Sequence, residues 1–197
     1  MQKVNAPLLV LASASSYRRE LLARLRLPFI TVVPDIDETA LPDEPPEAQA
    51  LRLACAKAEA ASAAYPDALI IGSDQVAVID GAVLGKPLTH AAAIRQLQSA
   101  RGKSMLFLTA LCLLNTRTSR RQRSIVPATV QMRNFNDMDI EHYLEKERPY
   151  DCTGSAKIEG LGIALVKKLE CDDPSALIGL PLISLCDMLR NEGITVL

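Results

Sequence analysis

Apolar residues fall into two rhythms along the chain, short unbroken runs and longer stretches spaced at three and four, and this predicts an α/β protein. LLVLA at 8–12 has the length of a buried strand, and Tyr17, Leu21, Leu22 and Leu25 give 16–26 a helical spacing. FITVV at 29–33 reads as a second strand. The prolines of PDIDETALPDEPPE, 34–47, exclude regular structure, and an alanine-rich helix follows from about Glu47 to Ala64, stopped by Pro66. ALIIGSD, 68–74, reads as a buried strand with a polar end, and the alternation around Asp80-Gly81 signals a hairpin after it. Thr89 is placed to cap a helix that Gly102 closes. Two β-prone stretches, 104–115 and 124–135, flank the basic turn TRTSRRQR. A helix over 137–147 capped by Asn136, a glycine-punctuated loop at 154–162, a strand at 163–169 and a helix at 181–190 with Pro181 in its first turn complete the series. The order predicts a mixed sheet flanked by helices, without internal repeats.

The 197 residues suit a single domain, 1–197, and 49% hydrophobic content supports a substantial core. A formal net charge of −1 gives no overall field toward nucleic acid or an anionic membrane, so any polyanion site must be local. The basic turn at 117–123 accordingly reads as a solvated loop. Five scattered cysteines without a C-x-x-C pair predict a reducing compartment and thiols acting as small buried hydrophobes. His90 and His142 are too far apart for HExxH, which argues against a zinc site. The apolar run before Ala12-Ser13-Ala14 is short for a secretion signal, with Lys3 the only basic residue ahead of it, and no run has the length of a membrane span. A cytoplasmic protein is expected, with neither nucleic acid nor membrane as partner.

Candidate chemistry begins at LASASSYRRELL, 11–22. Ser15 is placed to cap a helix, which sets Arg18 and Arg19 in a first turn where unpaired N–H groups and the macrodipole already favour anions. Exposed arginines tolerate that position at a cost of about 0.3–1 kcal/mol. Alternatively an anion binds there, held by Ser13, Ser15 and the forked guanidinium of Arg18. No G-x-x-x-x-G-K-[ST] is present, so the site is not a P-loop. Asp74 is either a ligand-facing carboxylate at a strand end or a turn former, since Gly72 and Ser73 also suit a turn. Glu38, Lys57 and Lys86 each read singly as solvated side chains; together with Asp74 they offer cations for a polyphosphate and acids to hold Mg²⁺ and activate water.

In order and spacing these residues resemble the Maf family of nucleoside triphosphate pyrophosphatases nearly end to end. The family's S-x-S-P-x-R pattern appears as Ser13-Ala14-Ser15-Ser16-Tyr17-Arg18, its acidic-loop glutamate as Glu38, and its helical A-x-x-K-A as ACAKA around Lys57. SDQV carries Asp74, Lys86-Pro87 is the K-P turn, Gly154 to Gly160 the late loop, and GLPL spans Gly179 to Leu182. The resemblance implies a Maf/ITPase-like two-lobed α/β fold with a cleft between lobes, and hydrolysis between the α- and β-phosphates to a nucleoside monophosphate and pyrophosphate. It further implies that Asp74 accepts the proton of the attacking water, that Glu38 and Asp74 hold a divalent cation (Mg²⁺ or Mn²⁺), and that Ser13, Ser15, Arg18, Lys57 and Lys86 hold the triphosphate. A homodimer is compatible with it.

Tyr17, Gln75 and Glu159 resemble the family's YceF-type branch, associated with 7-methylguanosine triphosphate, where the dTTP/UTP branch has arginine, threonine and glutamine. N7-methylation makes guanine cationic, so an aromatic face gains a cation–π term of about 0.5–2 kcal/mol. A carboxylate also accepts from guanine N1–H and N2–H together. Three positions depart from the branch: Ser16 replaces the helix-starting proline, Tyr17 a tryptophan, and Ala156 an aromatic. Catalysis should survive all three, while stacking on the base should weaken. Two alternatives stand beside this reading: a dTTP/UTP/CTP pyrophosphatase, and a nucleotide-binding regulator of septation, the latter hard to reconcile with a carboxylate beside a metal-binding acid.

Overall fold

A computed structural model describes residues 7–197, so Lys3 lies outside the described residues. Among these, seven strands form one mixed sheet in the order β2-β1-β3-β5-β6-β7, with β4 against β3. Strand β1 (Leu8–Ala12) runs parallel to β2 (Ile30–Val32) and to β3 (Ala68–Ile79). Strands β5 (Ser104–Asn115), β6 (Arg120–Met132) and β7 (Val166–Cys171) continue it antiparallel, and β4 (Ala82–Leu84) forms the hairpin with β3. The helices are α1 (Ser16–Ala23), α2 (Pro46–Ala60), α3 (His90–Ala100), α4 (Asp137–Glu147), α5 (Pro174–Ile178) and α6 (Leu182–Asn191).

The two-residue period of β3 sorts the molecule. Leu69 and Ile71 pack with Leu21, Leu22, Leu185 and Leu189 of α1 and α6. Farther along the same face, Ala77 and Ile79 join the core under α3 and α4 with Leu97, Phe107 and Leu144. On the other face, Ile70 and Val76 meet Ala50, Ala54 and Ala58 of α2. The alanine stripe lets α2 lie close, and Gly72 closer still, because a Cβ there would stand 2.0 Å from the Ala54 carbonyl oxygen. The long strands β3 and β5 thus contribute to three core clusters, two on one face of the sheet and one on the other.

The main correction concerns β3, which is one strand over 68–79 with Asp74 inside it rather than at its polar end. Its neighbour on one edge changes at this point: β1 pairs it through Gly72, and β4 begins pairing at Ala77. Residues 73–76 therefore have a free edge on that side, outside the carboxyl end of β1, where α/β sheets expose ligand-facing groups.

Smaller differences have local causes. The basic turn shortens because Arg120, Arg121 and Arg123 belong to β6; Arg121 pairs with Glu59 at 2.7 Å and Arg120 with Glu192 at 3.4 Å, on helices of opposite faces. Helix α2 starts at Pro46 and ends at Ala60, where a short 3₁₀ turn takes over before Pro66. Residues 161–165 form another such turn, so β7 starts later than predicted, and α5, five residues long, was not predicted. Of the five cysteines only Cys112 is fully buried, and all are free thiols. Thr89 and Asn136 cap α3 and α4 as expected, Asn136 in a full capping box with Asp139. No helix among the described residues is long and apolar enough to cross a membrane.

Candidate active site

Where β1 ends, the chain turns sharply into α1. Ser13 Oγ accepts the Ser15 N–H at 3.1 Å, and Ser15 Oγ accepts the Arg18 N–H at 3.3 Å. Both hydroxyls therefore shape the turn with their oxygens and keep their protons for a ligand. Arg18 does not point to solvent. Its Nε donates to the Gly179 carbonyl at 2.8 Å, and that carbonyl also accepts from Ser73 Oγ at 2.9 Å. The terminal guanidinium nitrogens have no partner among the described residues, and Arg18 lines a cleft of about 660 Å³. Burial lowers the Arg18 pKa against the opposing pull of Asp74 and Glu38. Arg19 is exposed and is not part of the cleft wall.

Asp74 shares a face of β3 with Gly72, directly under α2. Gly72 opposes Ala54, so Lys57, one helical turn on, lies over Asp74: Nζ is 2.6 Å from Oδ1. The same Nζ is 2.8 Å from Glu38 Oε1, although Glu38 belongs to the proline-rich loop. Lys57 and Asp74 are buried, while the Glu38 side chain is 58% exposed. Asp74 Oδ2 takes no hydrogen bond from the described residues and remains available in the cleft. Partial burial pushes the Glu38 carboxyl up, but the Lys57 hydrogen bond and the charges of Lys57, Lys86 and Arg18 outweigh it and hold the group below the ordinary glutamate range. Lys86, exposed just after β4, lines the same cleft.

Tyr17, Ala156 and Glu159 line the same cleft. Tyr17 is half-buried; Cys152 Sγ lies 3.8 Å from its hydroxyl, and Lys157 Nζ stands 5.7 Å from its ring centroid. Desolvation raises the Glu159 carboxyl above its ordinary value. Gln75 lines the cleft too, but its amide nitrogen is committed to Thr109 Oγ1 at 2.9 Å and to the Ala176 and Leu177 carbonyls of α5 at 3.0 Å. It fixes α5 and can offer a ligand only its carbonyl oxygen.

For a divalent cation, the donor set is two carboxylates already converging on one ammonium, with an oxygen free on each. That suits Mg²⁺ or Mn²⁺, which commonly take one or two carboxylates and complete their shell with substrate phosphates and water. Among the described residues no three His, Cys, Asp or Glu side chains gather into a self-sufficient metal site.

The sequence matches the Maf-like protein family over residues 8–192. The chain belongs to the Maf family. A relative from Methylobacillus flagellatus named 7-methyl-GTP pyrophosphatase is 56% identical over 191 residues, 97% of this chain and all of the other. Relatives of the same name from Nitrosospira multiformis and Thiobacillus denitrificans are 55% and 56% identical, covering 95% and 98% of this chain and 95% and 96% of theirs. The solved Ham1 protein of Staphylococcus aureus aligns with a TM-score of 0.47 at 15% identity, over 64% of this chain and 72% of that one, too slight a likeness to bear on the site.

The residues that the sequence offered for the nucleotide, the cation and the chemistry line this one cleft, apart from Arg19: Ser13, Ser15, Tyr17, Arg18, Glu38, Lys57, Asp74, Gln75, Lys86 and Glu159. Sequence reasoning missed the role of the Gly179 carbonyl, which holds Arg18 and accepts from Ser73 as well, and of Thr109, which holds Gln75. A backbone carbonyl leaves no mark in composition; Gly179, at φ 122°, was visible only as the first residue of GLPL. His90 takes no part, pairing with Glu141 and Tyr150 at the surface.

Proposed function

We propose that this protein is a nucleoside triphosphate pyrophosphatase that hydrolyses 7-methyl-GTP to 7-methyl-GMP and pyrophosphate, removing a modified nucleotide. One observation carries the reading: the Lys57–Asp74–Glu38 cluster shares a cleft with a tyrosine and a further carboxylate, Tyr17 and Glu159. The full-length relatives bearing that name support it.

In this reading Arg18, Lys57 and Lys86 hold the triphosphate, with the Ser13 and Ser15 hydroxyls donating to its oxygens. Asp74 Oδ2 takes a proton from a water molecule as the water oxygen adds to phosphorus and the α–β bridging bond breaks. Lys57, fixed on Oδ1, keeps the carboxylate turned toward that water. Glu38 and Asp74 would hold an Mg²⁺ or Mn²⁺ ion, which supplies charge neutralisation on the phosphate oxygens. Tyr17 stacks on the cationic base, and the Glu159 carboxylate accepts its N–H groups. A cytoplasmic setting, where its free thiols stay reduced, fits the chain.

A nucleotide panel tests this. Pyrophosphate release from 7-methyl-GTP, GTP, dTTP, UTP and CTP under one condition should give the highest kcat/KM for 7-methyl-GTP. Preference for a pyrimidine nucleotide would replace the substrate and keep the reaction. Release from none of them would replace the enzyme with a binding protein.

A further inference from the structure

Glu147 ends α4, where the macrodipole disfavours a carboxylate. Its surroundings supply the reason. Oε1 accepts from Lys157 Nζ at 2.7 Å, and Oε2 accepts the backbone N–H of Leu161 at 2.7 Å. These partners are the two ends of the loop that carries Glu159. The loop also closes on itself, since the Gly160 and Gly162 N–H groups both donate to the Lys157 carbonyl, at 3.1 and 3.0 Å. A Cβ at Gly162 would stand 2.5 Å from the Lys157 carbonyl oxygen, so the packing needs glycine there, and one at Gly160 would stand 2.8 Å from Glu147 Oε2 and push that carboxylate aside.

The same carboxylate aims Lys157. Tied to Glu147, its ammonium lies 5.7 Å from the Tyr17 ring centroid, within cation–π range. One side chain, only 14% exposed and outside the cleft wall, thereby braces both residues assigned to the base. Tyr143 adds a fixed point from α4, its hydroxyl accepting the Lys157 N–H at 3.0 Å and donating to the Ser155 carbonyl at 3.1 Å.

From this we infer that Glu147 is a positioning residue for base recognition: it sets Glu159 through the loop ends, and Tyr17 through Lys157. The inference rests on the reading that Tyr17 and Glu159 face the base. It concerns discrimination between nucleotides, and the triphosphate end of the cleft, which Glu147 does not touch, lies outside it.

The test compares wild type, Glu147→Ala, Glu147→Gln and Lys157→Met on 7-methyl-GTP and UTP, with kcat and KM separated and thermal unfolding recorded. Glu147→Ala should lower the 7-methyl-GTP to UTP ratio of kcat/KM by about tenfold, mostly through KM, as for loss of one charged hydrogen-bonding pair. Glu147→Gln keeps one acceptor oxygen of two and should recover part of the ratio. Lys157→Met should reproduce part of the Ala effect. Hydrogen exchange at the Leu161 amide should quicken in Glu147→Ala, which reads the brace without any substrate. A wild type without preference for 7-methyl-GTP would remove the proposed function and this inference together. A wild type that prefers it, with Glu147→Ala within about twofold of its ratio or losing both substrates equally alongside stability, would overturn the inference alone.

Discussion

Lys57 reaches Asp74 because Gly72 has no side chain. The glycine lies two residues before Asp74 on the same face of β3, and its bare Cα admits the Ala54 carbonyl of α2. The helix settles on the strand, and Lys57 Nζ comes within 2.6 Å of Asp74 Oδ1 and 2.8 Å of Glu38 Oε1. The site's electrostatics are thus set by a packing contact some distance from any charge.

Gly72→Ala should therefore cost more than an ordinary glycine substitution. Its methyl group would enter backbone on the α2 side, and α2 would have to lift, at about 1–3 kcal/mol for overpacking or more. Urea unfolding should show the loss, and turnover should fall with it because Lys57 moves away from Asp74. A mutant with wild-type midpoint and rate would disprove the coupling.

Lys57→Met leaves the buried Asp74 carboxylate without its partner. Breaking a buried pair from one side costs about 3–5 kcal/mol, whereas removing both charges costs much less. The double variant Lys57→Met/Asp74→Asn should accordingly be more stable than Lys57→Met alone. Additive losses in a double-mutant cycle at pH 7 would show that the pair is not coupled.

Glu159→Gln keeps the size of the side chain but replaces one of two acceptor oxygens by a donor. A guanine N–H left facing it would be unpaired, at roughly 1–3 kcal/mol. Tyr17→Ala removes the ring and should erode the preference for 7-methyl-GTP over GTP. Measured on 7-methyl-GTP, GTP and UTP, Glu159→Gln should lose on both guanine nucleotides relative to UTP, and Tyr17→Ala should lose most on the methylated one. Equal losses on all three would return these side chains to the fold.

The Glu159 and Glu38 carboxyls should titrate in order. Desolvation holds Glu159 above the ordinary glutamate value of 4.5, and the cations around Glu38 hold that group below it. On acidification Glu159 protonates before Glu38, so the 7-methyl-GTP to UTP ratio of kcat/KM should fall while Glu38 is still ionised. The stability that Glu38 contributes is complete above 4.5 and lost only as pH drops through its lower folded value. A ratio unchanged as pH falls through 4.5 would remove Glu159 from base recognition.

Much of this arrangement was legible in the sequence. The strands at 8–12 and 104–115, the caps Thr89 and Asn136 and the Ser15 turn follow from periodicity and local hydrogen bonding, which a chain carries in its immediate neighbours. Asp74 was legible as a candidate but misplaced, because Gly72-Ser73 reads as a turn when α2 is out of view. The free edge at 73–76 depends on where β1 stops and β4 starts, a relation between strands far apart in sequence. Gln75 shows the same limit from another side: its amide nitrogen is taken by Thr109 and by the carbonyls of α5, a helix too short to announce itself. Glu147 ended a helix that was predicted correctly, yet its purpose lies in a loop ten residues on.

The central claim is that Asp74, oriented by Lys57, takes the proton of the attacking water. Its direct test is single-turnover pyrophosphate release from 7-methyl-GTP by Asp74→Asn, with nucleotide binding measured on the same preparation. The asparagine keeps the size of the side chain and cannot accept that proton, so release should fall by at least about 10²-fold, within the 10²–10⁴ typical of general-base loss, while binding persists. Near-normal release by the folded mutant would contradict the account and remove Asp74 from the chemistry.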